Sequence, residues 1–177
     1  MLTILCMVTL PTLAQQWKPL TGSVTFKIKM WGLTVDGSFK GLVANLAFDP
    51  NNLAQASIVA TVDARTIDTD NSLRNDHLRD KEAFFDTKNY PVLRIKSTRI
   101  EKSETGYLGT FELTMKKTTK LVKIPFTFLP NGEQQQLKGS VTINRRDWNV
   151  GGGSFGLSDN VTINLLLNVQ AVPKPEN

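Results

Sequence analysis

Few side chains of this sequence could act as a nucleophile, a general base or a metal ligand. The single histidine, His77, lies in the charged segment Ser72–Asp86 (SLRNDHLRDKEAFFD), and the single cysteine is Cys6. A serine or cysteine triad needs a nucleophile, a base and a group that orients the base. The stretch GGGSFG around Ser154 is no nucleophile elbow, because it follows a strand pattern and precedes no helix. A weak hydrolase or isomerase based on His77 is therefore the least favoured hypothesis, and we expect no enzyme.

The carboxylates do not form a recognisable metal motif either. Asp63, Asp68 and Asp70 are close in sequence, but their spacing differs from that of an EF-hand loop. Gly151–Gly153 lacks the Lys-Ser/Thr pair that a phosphate-binding loop requires. We interpret the three carboxylates as turn and helix-capping groups, and we expect no metal and no cofactor.

The N-terminal stretch MLTILCMVTLPTLAQQ indicates export. It is a short apolar run that ends in Thr12-Leu13-Ala14, a small-x-small pattern typical of a signal-peptidase site. The run is too short for a stable transmembrane helix. We predict a signal peptide over residues 1–14, one domain over 15–171 and a flexible tail over 172–177. This prediction implies that the protein is exported, and it removes Cys6 from the mature chain.

The charge of the chain does not indicate a nucleic-acid partner. The formal net charge is +5, but the basic residues are dispersed and no run of them is interleaved with aromatic residues. The densest basic stretch comprises Lys116, Lys117, Lys120 and Lys123. We interpret it as the solvated face of a hairpin, and transient contact with a membrane surface is the alternative.

Alternation of apolar and polar residues predicts an all-β protein. In SVTFKIKMW, Val24, Phe26 and Ile28 alternate with polar side chains, so that one face meets a core and the other meets water. Eight or nine such runs recur about every ten residues, a spacing typical of antiparallel sandwiches and barrels. Glycines within the runs favour a curved, closed barrel. These glycines are Gly32, Gly37, Gly41, Gly109 and Gly139.

The charged segment Ser72–Asp86 predicts a short helix that interrupts the strands. Asp70 or Asn71 would cap it, and Arg79 with Glu82 would form an ion pair at helical spacing. We expect the helix to cover an open end of the barrel, with a packed and hydrogen-bonded His77 holding it in place. Its apolar stripe would comprise Leu73, Leu78, Phe84 and Phe85.

Five ordered blocks of the sequence resemble the YceI-like family, and the resemblance covers almost the whole predicted mature chain, from about Gly22 to Val169. The first two are SVTFKIKMWGLTVDGSFKGL and ARTIDTDNSLRNDHLRDKEAFFDTKNYPVLRIKS. The other three are GTFELTMKKTTKLVKIP, INRRDWNVG and LSDNVTINL. The sequence departs from the family pattern at Asn75, where an acid is usual, and at Lys117 and Asn149, where glycine is usual.

The resemblance implies an extended, lipocalin-like antiparallel barrel of about eight strands that is exported to the periplasm. It implies a carrier or storage protein that encloses a long isoprenoid chain, such as a polyprenyl phosphate or a quinone tail, without catalysis or a cofactor. Asn75 weakens any expectation of a specific salt bridge in the helix, whereas Lys117 and Asn149 suggest altered turns. The oligomeric state stays open between monomer and homodimer.

Strand alternation alone does not decide whether the barrel holds a ligand. A barrel of about eight strands is either filled by its own side chains or wide enough for one small ligand. A ligand-free structural barrel, induced by stress, is thus the alternative to a lipid carrier. His77 and Arg145 could meet a ligand headgroup, or they could form internal salt bridges instead. The residues predicted to line an apolar channel are Phe26, Ile28, Phe39, Phe48, Val62, Phe84, Phe85, Leu113, Phe126, Ile143 and Trp148.

Overall fold

Alternating apolar and polar residues build eight long strands that close into one barrel in the computed structural model, which describes residues 14–173. The strands are β1 (Gln16–Met30), β2 (Leu33–Ala47), β3 (Ser57–Asp68), β4 (Val92–Ser103), β5 (Gly106–Met115), β6 (Thr118–Asn131), β7 (Gln134–Asn144) and β8 (Leu157–Ala171). One α-helix, α1 (Ser72–Asp80), follows β3, and short 3₁₀ helices occupy Leu53–Gln55 and Arg145–Trp148.

Each strand pairs antiparallel with the next strand in sequence, and β8 closes the barrel against β1. Side chains on opposite sides of the wall follow the predicted alternation. Phe26 points inward opposite Gly37 of β2, whereas Lys27 lies outside and forms an ion pair with Asp36 at 3.2 Å. The expected all-β antiparallel barrel with one short helix is therefore confirmed.

Two of the predicted strand runs are one strand. The alternating runs LTVDGSF and LVANLAFD both lie in β2, which ends at Ala47. Gly41 has a left-handed φ of +70°, and the register between β2 and β3 shifts between Lys40 and Val43. The glycine thus forms an irregularity within a continuous strand, which reduces nine runs to eight strands.

The two ends of the barrel differ. The helix end carries α1 together with the β1–β2, β5–β6 and β7–β8 connections, and the opposite end carries the remaining turns. Five aromatic side chains, here called the aromatic cluster, pack inside the opposite end. The ring centroids of Phe48 lie 4.8 Å from Phe128 and 4.9 Å from Tyr107. Trp17 and Phe126 complete the cluster.

The helix α1 is shorter than the charged segment that predicted it. The side chain of Asn71 caps the helix by accepting a hydrogen bond from the Arg74 N–H at 2.9 Å, one of the two predicted caps. The helix ends at Asp80, and Phe84 and Phe85 lie in the turns that follow. Arg79 forms its ion pair with Asp76 one turn earlier and not with Glu82, so that part of the prediction is wrong.

Within residues 14–173, no helix is both long and apolar enough to cross a bilayer. The predicted signal peptide falls almost wholly on residues 1–13, and the predicted tail partly on 174–177, which lie outside the described residues.

Candidate binding cavity

An apolar cavity of about 490 Å³ occupies the barrel between the aromatic cluster and the helix end. Its size is within the range of about 300–1,000 Å³ that is typical of small-ligand pockets. Inward-facing aliphatic and aromatic side chains from all eight strands form most of its wall. Representative members from different strands are Val24, Val35, Val62, Ile95, Leu113, Ile124, Val141 and Ile163.

Eight of the eleven apolar residues that sequence reasoning proposed for a channel lie on the wall of this cavity. Whether they contact a ligand remains a prediction. The eight are Phe26, Ile28, Phe39, Val62, Phe84, Phe85, Leu113 and Ile143.

The other three predicted channel residues, Phe48, Phe126 and Trp148, are buried but do not line the cavity. Phe48 and Phe126 belong to the aromatic cluster, where their ring centroids are 5.9 Å apart. Trp148 is only 2% exposed, and its Nε1–H donates to the Leu113 carbonyl at 2.9 Å. Alternation predicts that a residue faces inward, but it does not predict the level along the barrel axis, so it could not separate these three residues from those on the cavity wall.

A glycine keeps one part of the wall open. Gly37 lies on the inner face of β2, and a Cβ atom there would be 2.2 Å from Cζ of Phe26. The far end of the Phe26 ring therefore lies over the backbone of β2 at Gly37. It continues into an aromatic row, since Phe39 has ring-centroid distances of 5.5 Å to Phe26 and 5.6 Å to Phe85. This row forms one side of the cavity and connects it to the segment after α1.

Arg145, a predicted headgroup ligand, is committed to the protein itself. Its guanidinium donates to the Ser158 carbonyl at 2.8 Å and to the Val150 carbonyl at 2.7 Å. It also donates to the carbonyls of Gly152 and Leu157 and forms an ion pair with Asp159 at 3.3 Å. Burial lowers the pKa of Arg145 from its usual value, and the Asp159 charge partly offsets this. Internal pairing, the alternative weighed from sequence, is what the geometry shows.

His77 reaches the cavity wall from α1, but it is exposed. Among residues 14–173 no hydrogen bond to its imidazole is present, so the expectation of a packed, hydrogen-bonded histidine is wrong. The described residues also contain no cluster of three or more histidine, cysteine, aspartate or glutamate side chains that could hold a metal ion. Asp63 instead pairs with Arg65 at 2.7 Å, and Asp68 accepts a hydrogen bond from Asn75 at 3.0 Å.

Arg74 is a polar residue of the cavity wall that was not among the predicted site residues. Its Nε–H donates to Oγ1 of Thr69 at 2.8 Å and its Nη2 to the Thr69 carbonyl at 2.6 Å, while the side chain lines the cavity beside α1. These bonds leave its Nη1 group available. The sequence feature that could have predicted this position is the spacing of Arg74 and His77, which are three residues apart and therefore share one helix face.

Comparisons with known proteins agree on one family. Residues 16–169 match the model of the YceI-like domain. A UPF0312 protein of Photorhabdus laumondii is 30% identical over 111 residues, which is 62% of this chain and 57% of that protein. A UPF0312 protein of Vibrio cholerae is 26% identical over 163 residues, which is 86% of this chain and 82% of that protein. The chain thus spans little more than half the length of the first relative.

Solved structures share the fold. Burkholderia cenocepacia BcnA is 30% identical with a TM-score of 0.78, and the match covers 83% of this chain and 95% of BcnA. A polyisoprenoid binding domain from Saccharophagus degradans, implicated in plant cell wall breakdown, is 14% identical with a TM-score of 0.64. That match covers 91% of this chain and all of the domain.

Proposed function

Because this chain belongs to the YceI-like family and encloses an apolar cavity, we propose that it binds a long-chain isoprenoid lipid, such as a polyprenyl phosphate or an isoprenoid quinone. In this proposal it is a carrier or storage protein and carries out no catalysis. The observation that carries the proposal is the wall of the cavity, to which all eight strands contribute apolar side chains. The Saccharophagus domain, a polyisoprenoid binder of the same fold, supports the choice of ligand.

The physical basis of binding is burial of hydrocarbon. Each CH₂ group that leaves water contributes about 0.8 kcal/mol. A prenyl chain offers many such groups and needs no charged partner along its length. Binding of this kind depends on a dry, apolar wall and on an entrance, and it requires no reactive side chain.

The orientation of the ligand in the cavity follows from the difference between the two ends of the barrel. The aromatic cluster around Phe48 fills the opposite end, so a chain enters from the helix end. A headgroup would then remain near α1, where Arg74 and His77 line the cavity. A guanidinium group recognises phosphate well, and it can also donate to a quinone oxygen. We therefore assign the headgroup to Arg74 and His77 and not to Arg145.

We also propose that the protein acts in the periplasm. The support is the apolar segment that ends in Thr12-Leu13-Ala14, which is typical of a signal peptide.

Native mass spectrometry of the delipidated protein tests the proposed function. The protein is titrated with a polyprenyl phosphate, an isoprenoid quinone and, as a control for general hydrophobic binding, a saturated fatty acid. We expect one isoprenoid chain per protein molecule and weaker retention of the fatty acid. Failure of both isoprenoids to bind would overturn the proposal in favour of a ligand-free barrel.

A further inference from the structure

Two aromatic side chains project from the helix end into solvent. Trp31, in the β1–β2 turn, is 64% exposed, and Phe155, in the β7–β8 connection, is 85% exposed. Their ring centroids are 5.0 Å apart with an interplanar angle of 75°. The Trp31 N–H donates to the Gly156 carbonyl at 2.7 Å, which joins the two loops. The pair is thus held in place, although its rings remain largely in water.

Two further exposed apolar side chains lie at the same end. Leu33 is 74% exposed beside Trp31, and Leu73 of α1 is 66% exposed while also lining the cavity. We call these four residues, Trp31, Leu33, Leu73 and Phe155, the rim patch. Met30, next to Trp31, lines the cavity as well. Apolar surface therefore leads from the cavity wall to the outside, and exposed apolar patches of this kind commonly mark interaction sites.

The charges around the aromatic pair favour an anionic surface as its partner. Residues 28–35 and 148–158, which include both aromatic tips, contain no aspartate or glutamate, and their one charged residue is Lys29. The acidic residues that directly flank these stretches, Asp36, Asp147 and Asp159, are each in an ion pair with a lysine or an arginine. Lys117, in the β5–β6 turn of the same end, is also exposed. Tryptophan prefers the interfacial region of a bilayer, and nearby lysines are attracted to anionic headgroups.

We propose that the rim patch docks the protein on an anionic lipid bilayer, with Trp31 and Phe155 inserted among the headgroups. The mouth of the cavity then faces the membrane, and a lipid chain passes along the rim patch without crossing water. This inference rests on the proposed function, because an isoprenoid ligand is taken from a bilayer or returned to one.

Binding to vesicles tests the docking surface. The full chain is mixed with vesicles of phosphatidylethanolamine and phosphatidylglycerol, and separately with phosphatidylcholine vesicles. Sedimentation measures the bound fraction, and quenching by bromine-labelled acyl chains reports insertion of tryptophan. Trp148 is buried and Trp17 is half-buried, so Trp31 should dominate the quenching. We expect binding to the anionic vesicles with clear quenching, and weaker binding to phosphatidylcholine.

The test variant combines Trp31→Asn and Phe155→Ser. Asparagine tolerates the left-handed φ of 53° at position 31. Removing two inserted aromatic side chains should weaken vesicle binding about tenfold or more. Leu129→Ser is the matched control, because it removes an exposed apolar side chain near the opposite end of the barrel and should leave vesicle binding unchanged. Equal vesicle binding by the double variant and the original protein would overturn the proposal.

Loading with polyprenyl phosphate in the absence of vesicles separates this proposal from the proposed function. The double variant should still load, since neither Trp31 nor Phe155 lines the cavity. Normal loading without vesicle binding by the original protein would reject docking and retain the carrier function. Vesicle binding without loading would reject the carrier function and retain docking. A further outcome is that the original protein forms a dimer, that the double variant does not, and that the original protein binds no vesicles. This outcome would reject membrane docking and assign the rim patch to self-association.

Discussion

Asn75 shows how one side chain couples α1 to the barrel. It is buried, and its Oδ1 accepts from the N–H of Thr69 at 2.9 Å and from Oγ1 of Thr69 at 2.6 Å. Its Nδ2 donates to the Asp68 carboxylate at 3.0 Å. The N–H of Asp70 and the Asn75 amide lower the pKa of Asp68 from 3.8 by hydrogen bonding to its charged form. The neutral amide of Asn75 therefore both accepts from Thr69 and donates to Asp68, whereas the acid that is usual at this position in the family, when ionised, could only accept.

Asn75→Asp should destabilise the protein near neutral pH. Two carboxylates would face each other across the present 3.0 Å contact, and the amide donor would be lost. We expect a loss of about 1–3 kcal/mol in the free energy of unfolding, measured by urea titration. The double variant Asp68→Asn with Asn75→Asp should recover part of the loss, because it restores one donor to the pair.

The pH dependence of this pair has a defined sign. In the original protein the lowered pKa of Asp68 contributes stability above its ordinary value of 3.8, and this contribution is lost as the pH falls through the lowered pKa. In the Asn75→Asp variant, repulsion raises a carboxyl pKa, so its penalty shrinks as the pH falls. The stability difference between the two proteins should narrow toward about pH 4. A difference that widens on acidification would contradict the assignment.

Arg145→Lys should destabilise the protein much more than Arg146→Lys. Arg145 is buried and binds carbonyls of the β7–β8 connection and of the start of β8, and an ammonium group cannot replace its planar set of donors. We expect a loss of about 3 kcal/mol or more and faster amide hydrogen exchange over residues 150–158. Arg146 binds the same Asp159 at 2.7 Å but is half-exposed, so its variant should lose less than about 1 kcal/mol. Equal losses would show that Arg145 does not hold the loop.

At the level of elements, alternation correctly predicted which side chains of a strand face inward, but it did not predict how high along the barrel axis each side chain lies. Phe26 and Phe48 both face inward, but one lines the cavity and the other fills the aromatic cluster, because strand stagger sets the height of each side chain. The helix cap at Asn71 followed from local chemistry. The exposure of His77 depends on how α1 sits against β3, a tertiary packing that no local pattern encodes.

Gly37→Ala should narrow the cavity without unfolding the barrel. The new methyl group would meet ring atoms of Phe26 at 2.2–2.8 Å, so the ring must turn toward the cavity. We expect a stability loss of about 1–3 kcal/mol, measured by thermal unfolding, and weaker retention of polyprenyl phosphate in native mass spectrometry. Gly153→Ala is the control, since nothing lies within 4 Å of its added Cβ. Unchanged lipid retention in Gly37→Ala would mean that Phe26 does not border the bound chain.

For the whole molecule, the central feature is a barrel whose two ends are built differently. Aromatic side chains fill one end, and the other has polar groups on α1 and an exposed apolar rim. The sequence predicted the closed barrel and the helix beside it. It could not predict that the interior is only partly filled, because the same apolar residues can pack against one another or line a cavity.

The amount of isoprenoid lipid that copurifies with the protein tests the central claim most directly. Organic extracts of the original protein are compared with those of Ala60→Phe, which places a large ring in the cavity, and of Val43→Phe on the outer face. The account predicts about one isoprenoid chain per molecule in the original protein and in Val43→Phe, and a strong reduction in Ala60→Phe. An equal amount of lipid in a folded Ala60→Phe variant would contradict binding inside the barrel.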